Sequence, residues 1–283
     1  MYYFNIILTE KCNANCSHCY MNNNDNLRSL TKSQVDKIIK KIPSSTKKIV
    51  LTGGEVFTDK ELLMYTIDKI NSLQKDIDIE IESNGIYFYK GNTLEKLLEF
   101  NNKITSIRFS DDPFHEDGGV ELNKVRELKK YQPYLKYKIK YLVQDKALKI
   151  GKAKSLNDKY VRKCNCMNTN NTKFNPYFFL DIEGNIYLCA WKLTKPIGNI
   201  FKDEIEDVLD VMNSPFNKRI LVGKIEEAFS LEKGNVEEYK KYTKKYGQCM
   251  LCERFRNNNR WHVIRCKSKR EVFILHQVQL VKL

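Results

Sequence analysis

Hydrophobic positions along the chain follow two alternating periods. Residues 3–9 form an apolar run with little alternation, which predicts a strand buried on both faces, as in a parallel sheet. Thr31 then precedes Gln34 by three residues, a capping-box pattern, and Val35, Ile38, Ile39 and Ile42 form a helical stripe. The alternation continues with a strand at 48–52 and a helix capped by Thr58 with Glu61 that carries Leu62, Leu63, Ile67 and Ile70. Next come a strand at 77–82, a helix from Asn92 and Thr93, a strand at 104–110, a helix over about 120–131 and a strand at 134–143. Short links between alternating strands and helices imply parallel strands with right-handed crossovers. Five clear strands are too few for a closed eight-stranded barrel, so the expected fold is α/β, an open partial (β/α) barrel of about five to six parallel strands. A functional site belongs at the carboxyl ends of those strands.

The texture changes after Ala153. Residues 156–176 are polar and rich in Asn, with Cys164 and Cys166 one residue apart. Residues 178–189 read as a β-hairpin turning at Glu183-Gly184-Asn185 and ending at Cys189. Gly198-Asn199-Ile200 precedes a helix of mixed polarity, and a basic helix over 236–246 ends at Gly247, a C′ glycine, with Cys249 and Cys252 directly behind it. The last twenty residues alternate apolar and basic positions and read as a strand without an assignable role. The expected organisation is a barrel over residues 1–155 and a small cysteine-rich domain over residues 156–283.

The chemistry concentrates where the first strand ends. Cys12, Cys16 and Cys19 lie in a CX3CX2C spacing on one short loop. Three thiolates can hold three irons of a cubane, and the fourth iron then stays open to something other than protein. Zinc is the alternative reading of cysteines at such spacing. The nearest other cysteine, Cys164, is a whole strand-helix series away, whereas zinc knuckles usually sit close together.

With an aromatic residue, His18, before the last cysteine, this loop resembles the cluster loop of the radical S-adenosylmethionine (radical SAM) superfamily. Gly53-Gly54-Glu55, Ser83-Asn84-Gly85, Ser110-Asp111-Asp112 and Gly151-Lys152-Ala153 stand at or after successive strand ends, where that family contacts its cofactor. The resemblance implies a 4Fe-4S cluster on Cys12, Cys16 and Cys19 that binds S-adenosyl-L-methionine through its open iron, and a 5′-deoxyadenosyl radical as product. It assigns the methionine to the Gly53-Gly54 backbone, with Glu55 or nearby carbonyls accepting from its ammonium, and the carboxylate to Ser83 and Asn84. Ser110 and Asp112 would accept from the ribose, His18 would pack beside the adenine, and Gly151 and Ala153 would complete the cofactor site. Within Asp111-Asp112-Pro113-Phe114-His115-Glu116, His115 and Glu116 are candidates to take a proton from the substrate or to orient it; an ordinary solvated loop is the plainer reading.

The later cysteines resemble the auxiliary-cluster domain called twitch, a shortened SPASM domain, on the residues Gly184 to Cys189 and Gly198-Asn199-Ile200. The implied ligands of a second 4Fe-4S cluster are Cys189, Cys249, Cys252 and one of Cys164 or Cys166, with Cys266 outside. Cys249, Cys252 and Cys266 also share a CX2CX13C spacing with the enzyme that begins molybdopterin synthesis, but there the hairpin carries the third cysteine, and the spacing is treated as coincidental. Structural zinc is the alternative for the whole group.

Nine cysteines among 283 residues, with no export signal evident at the start of the chain, argue for metal ligation in a reducing cytoplasm over disulfides. No stretch approaches the ~18 apolar residues that mark a membrane span. The net charge of +14 is spread over many helices as solvated lysines, which favours an acidic peptide or a phosphorylated small molecule over nucleic acid as partner. The reading is therefore a radical SAM enzyme that modifies a ribosomally made peptide by oxidative crosslinking, thioether formation or epimerisation, supplied with electrons by a flavodoxin or ferredoxin. Peptide epimerases of this type place a thiol directly after the hairpin cysteine, and Ala190 stands there instead, which moves the balance towards oxidation. Dehydrogenation of a small molecule such as an aminosugar is the alternative within the family, and a basic zinc-binding module without activity is the alternative outside it.

Overall fold

The computed structural model describes residues 1–21, 27–73, 76–148, 150–160, 177–189, 192, 195–221, 225–233, 236–246 and 251–252. At its centre lies an open sheet of eight strands in the order β5-β4-β3-β2-β1-β6-β7-β8. Strands β1 (Tyr2–Thr9), β2 (Thr46–Gly53), β3 (Asp78–Ser83), β4 (Ser106–Asp111), β5 (Lys138–Val143) and β6 (Tyr177–Leu180) pair in parallel. Strands β7 (Asn185–Tyr187) and β8 (Gly198–Asn199) return antiparallel at the far edge. The partial barrel expected from the hydrophobic pattern is thus present, and β6 joins it directly at β1 from beyond residue 155.

One face of the sheet is apolar. Phe4, Ile6 and Leu8 of β1, Ile49 and Leu51 of β2, Ile79 and Ile81 of β3, and Ile107 and Phe109 of β4 alternate along their strands and are buried. They share one core with helix α1 (Lys32–Lys41), through Val35, Ile38 and Ile39, and with α2 (Lys60–Asn71), through Leu62, Leu63, Ile67 and Ile70. Thr31 and Gln34 close the capping box ahead of α1. Thr58 does not cap α2: its hydroxyl donates to the Glu55 carbonyl at 2.7 Å, and Asp59 accepts from Leu62 N at 3.2 Å as the cap. Glu55 has already wound residues Val56–Asp59 into a 3-10 turn, which moves the cap one residue on.

Between β3 and β4 the chain forms a short helix α3 (Ile86–Tyr89) before α4 (Thr93–Leu98), because Gly85 turns the backbone at φ 83°. After β4 come α5 (Pro113–Asp117) and α6 (Leu122–Glu127). The single helix expected over 120–131 tightens to a 3-10 turn over Leu128–Tyr134, in which Pro133 has no N–H for an α-helical bond. Gln132 then donates to Tyr137 O and accepts from Ile139 N, each at 2.7 Å, so β5 starts only at Lys138. The hairpin forms as expected, pairing Phe179 with Tyr187 and Leu180 with Ile186. Asp181 Oδ1 accepts from Glu183 N and Asn185 N at 3.0 and 2.9 Å to make its turn. Helices α7 (Ile205–Met212), α8 (Pro215–Leu221), α9 (Ile225–Lys233) and α10 (Val236–Tyr246) complete the described chain. None of the described helices is long and apolar enough to cross a membrane.

The opposite face of the sheet is charged. Glu80 is 1% exposed, yet its carboxylate meets Lys140 Nζ at 2.6 Å, Lys48 Nζ at 3.1 Å, Arg108 Nη2 at 3.3 Å and Ser106 Oγ at 2.9 Å. Burial works to raise its pKa, but Lys140, Arg108 and Lys48 outweigh that and hold it at about 2. Glu82 accepts from Thr52 Oγ1 at 2.8 Å and pairs with Arg108. Three cations around one buried carboxylate make it indispensable, since removing it leaves their charge uncompensated. Glu80→Gln is expected to cost about 3 kcal/mol in urea unfolding at neutral pH. Glu80 has a depressed folded pKa, so its contribution is present above its ordinary value of 4.5 and is lost as pH falls from there through about 2. Wild-type stability should drop across that window and the variant's should drop less; equal stability of the two at pH 7 would contradict the assignment.

Candidate functional site

The chain leaves β1 in a tight turn, and the loops at the carboxyl ends of four other strands each fasten to a different part of it. From β2, Gly54 N donates to Thr9 O and Glu55 N to Lys11 O, both at 2.8 Å. This approach needs both glycines: a Cβ on Gly53 would stand 2.4 Å from Thr9 O, and one on Gly54 would stand 2.3 Å from Lys11 O. From β3, Asn84 Nδ2 donates to Asn13 Oδ1 at 2.8 Å. From the segment after β4, Gly118 O accepts from Asn15 N at 3.0 Å, and a Cβ on Gly118 would lie 2.8 Å from Cys16 Sγ. From the segment after β5, Lys152 N donates to Cys19 O at 2.9 Å and Lys152 Nζ to Asn15 Oδ1 at 2.6 Å. Gly151, at φ 54°, lies so close that a Cβ would be 2.5 Å from Cys19 O.

Cys12, Cys16 and Cys19 therefore sit on a loop whose backbone is set before any ligand arrives. Burial raises the pKa of all three thiols, that of Cys16 to about 12, and Cys12 and Cys19 each push Cys16 further upward. Ala14 N donates to Cys12 Sγ at 3.4 Å, and Cys19 Sγ lies 3.2 Å from Met21 O. Three half-desolvated sulfurs near enough to oppose one another's ionisation are a soft donor set that a metal centre would convert to thiolates. They fit a cluster with three protein ligands.

Glu55 joins the ends of β2 and β3. It is 1% exposed and accepts from Asn84 N at 2.7 Å, Ser83 Oγ at 3.0 and 3.2 Å, and Phe57 N at 3.1 Å. Burial raises its pKa to about 7 against the pull of those donors. The carboxylate ties the end of β2 to that of β3 and is already fully engaged. Ser83 Oγ also accepts from Gly85 N at 3.0 Å, and Asn84 Oδ1 accepts from Ile86 N at 3.0 Å.

The loop after β4 lies over the cysteine loop. Asp112 is buried and caps α5, accepting from His115 N at 3.1 Å, with its other oxygen 2.9 Å from His115 Nδ1. His18 stacks on Phe114 at 4.9 Å and meets the edge of His115 at 4.9 Å. Burial lowers the His18 pKa to about 4 against the attraction of Asp112, so the ring is neutral. Ala153 packs with Phe114 and Ala147 behind that stack. Ser110 is half-buried at the end of β4, and Glu116 is exposed. Cys189 is half-buried at the end of the hairpin and Cys252 is buried in the main core. Cys164, Cys166, Cys249 and Cys266 lie outside the described residues. Burial holds Tyr20 in its neutral form, with Glu82, Cys19 and Cys189 adding to the upward push on its pKa.

Asn13, Asn15 and Gly118 were not singled out in the sequence although all three position the loop. Their only local signal is the spacing of polar residues between the cysteines and the Gly118-Gly119 doublet.

Residues 6–136 match the model of the Radical SAM superfamily. GTP 3′,8-cyclases of two Clostridium perfringens strains, SM101 / Type A and 13 / Type A, are 31% identical to this chain over 133 residues. The match covers 45% of this chain and 40% of each relative, so less than half of the relatives' length is represented. Among solved structures, BtrN in complex with AdoMet and 2-DOIA aligns with a TM-score of 0.53 at 16% identity, over 80% of this chain and 90% of that one. anSMEcpe with bound AdoMet and Cp18Cys peptide aligns with a TM-score of 0.56 at 13% identity, over 80% and 83%. Streptococcus suis SuiB bound to precursor peptide SuiA aligns at 0.55 and 16% identity, over 77% and 66%. At such identities the likeness is one of fold. The likeness to the Radical SAM model thus lies in residues 6–136, and the likeness to the solved structures lies in the fold.

The glycine contacts generate a stability prediction. Gly54→Ala forces a methyl group into the Lys11 and Glu10 carbonyls and should cost about 2–3 kcal/mol in urea unfolding. A variant as stable as wild type would show that the loop is not braced there.

Proposed function

We propose that the chain is a radical SAM enzyme that modifies a ribosomally made peptide, with an oxidative crosslink or thioether favoured over epimerisation. The observation that carries the reading is the triple-cysteine loop, held by four strand-end loops and lying within the residues that match the Radical SAM model. When bound, a 4Fe-4S cluster and S-adenosyl-L-methionine would supply a 5′-deoxyadenosyl radical able to remove hydrogen from an unactivated carbon.

Cys12, Cys16 and Cys19 would hold that cluster. Gly53, Gly54, Ser83, Asn84, Ser110 and Asp112, at or just past strand ends, and Gly151 and Ala153, in the segment after β5, would shape the cofactor site together with Glu55, which also fixes Ser83 and Asn84. His18 offers a neutral ring braced by Phe114. His115, oriented by Asp112, and the exposed Glu116 are the proposed groups for holding or moving a substrate proton. The division at residues 155 and 156, and a second cluster on Cys189, Cys249, Cys252 and one of Cys164 or Cys166, belong to the same proposal.

Bound peptides in the anSMEcpe and SuiB structures support the choice of substrate class through a shared fold. The same fold spans 90% of BtrN, which was solved with 2-DOIA, and this keeps small-molecule dehydrogenation as the second reading.

After reconstitution without oxygen, replacing Cys12, Cys16 and Cys19 together by Ala should remove one cluster's iron and sulfide and abolish 5′-deoxyadenosine formation. Full iron content in the triple variant would refute the assignment. The reading predicts a small open reading frame beside the gene, and with its peptide as substrate, turnover in deuterated water should give a product two hydrogens lighter. A product with one deuterium at an unchanged oxidation state would establish epimerisation instead.

A further inference from the structure

Cys16, His18 and His115 bring one ligand atom each to within 4.8 Å of one another. They come from two loops joined by the bond from Asn15 N to Gly118 O, and Gly118 makes room for Cys16 Sγ by having no side chain. His115 is oriented as metal-binding histidines are, with a carboxylate, Asp112, 2.9 Å from Nδ1. A neutral ring that donates from Nδ1 presents its lone pair at Nε2. His18 supplies an independent observation. Its Nδ1 is buried with no hydrogen-bond partner among the described residues, while the ring is fixed between Phe114 and His115. A buried ring nitrogen without a partner is costly, and a cation would satisfy it.

We propose that Cys16, His18 and His115 form a mononuclear site for a borderline divalent transition cation, Zn²⁺ being the readiest occupant, in protein that carries no cluster. One thiolate and two imidazoles suit Zn²⁺ or Fe²⁺ and leave a fourth position for water. On binding, one sulfur–metal and two nitrogen–metal bonds form, the Cys16 proton passes to solvent and nothing is oxidised or reduced. Because Cys16 is also one of the three loop thiols, the cation and a cluster exclude each other. The site thus acts as a metal-dependent block on cluster assembly. It stands on these three side chains and not on the radical reading.

Co²⁺ serves as the probe, added without oxygen to the full-length, metal-free chain. A Cys12→Ser/Cys19→Ser double variant removes any three-thiolate site. It should bind one more equivalent of Co²⁺, with thiolate-to-metal absorption, than the triple variant that also carries Cys16→Ser. Adding His18→Ala or His115→Ala to the double variant should weaken that equivalent at least ~10-fold, with thermal unfolding unchanged to show that the fold persists. Equal Co²⁺ stoichiometry in the double and triple variants, or no effect of either histidine, would overturn the proposal. A second readout uses the otherwise unaltered chain: one equivalent of Zn²⁺ bound beforehand should slow iron and sulfide uptake, and His18→Ala/His115→Ala should relieve the delay. An equal delay in that variant would count against the site.

Discussion

The carboxyl side of the sheet depends on the contact between Gly53-Gly54 and the backbone of Thr9, Glu10 and Lys11. A chain leaving a central parallel strand ordinarily runs on into a crossover. Here it is caught at once, because two residues without Cβ let the end of β2 donate N–H groups to Thr9 O and Lys11 O. Once the start of the loop is fixed, Asn84, Gly118 and Lys152 can reach Asn13, Asn15 and Cys19 from the next three strand ends. The entropy of ordering the loop is thus met during folding, so the sulfurs are preorganised for a metal centre.

The sheet's second face follows a different logic from its first. Closed barrels fill their interior with branched apolar side chains. In this open sheet the corresponding positions carry Lys48, Glu80, Glu82, Arg108 and Lys140, and the parallel register sets Glu82 beside Arg108 and Arg108 beside Lys140. Their charges compensate one another around Glu80, which permits a polar surface without an unpaired buried carboxylate. Tyr20 lies within electrostatic reach of both Glu82 and Cys19, which links this charged face to the cysteine loop.

Local pattern reveals those parts of the fold that depend on neighbours in sequence. The capping box at Thr31 and Gln34, the turn at Asp181–Asn185 and the strand-end positions of Gly53, Ser83 and Ser110 were all legible, because periodicity and turn chemistry act over a few residues. The pairing of β6 with β1 was not, since it joins Tyr3 to Tyr177 across most of the chain with no local signal. The bonds of Glu55 to Ser83 and Asn84 have no local signal either, because these residues become its neighbours only when β2 and β3 pair. The requirement for Gly118 is non-local in the same way: it arises from Cys16, on a loop about a hundred residues earlier.

The loop offers three thiols where a cubane has four irons, and that inequality is the central chemical claim. It is tested most directly by ⁵⁷Fe Mössbauer spectra of the chain reconstituted without oxygen, recorded before and after S-adenosyl-L-methionine is added. One iron of one cluster should change its parameters when the cofactor binds, because the loop supplies three thiols for four irons. Spectra identical in both states, with the iron fully incorporated, would contradict it.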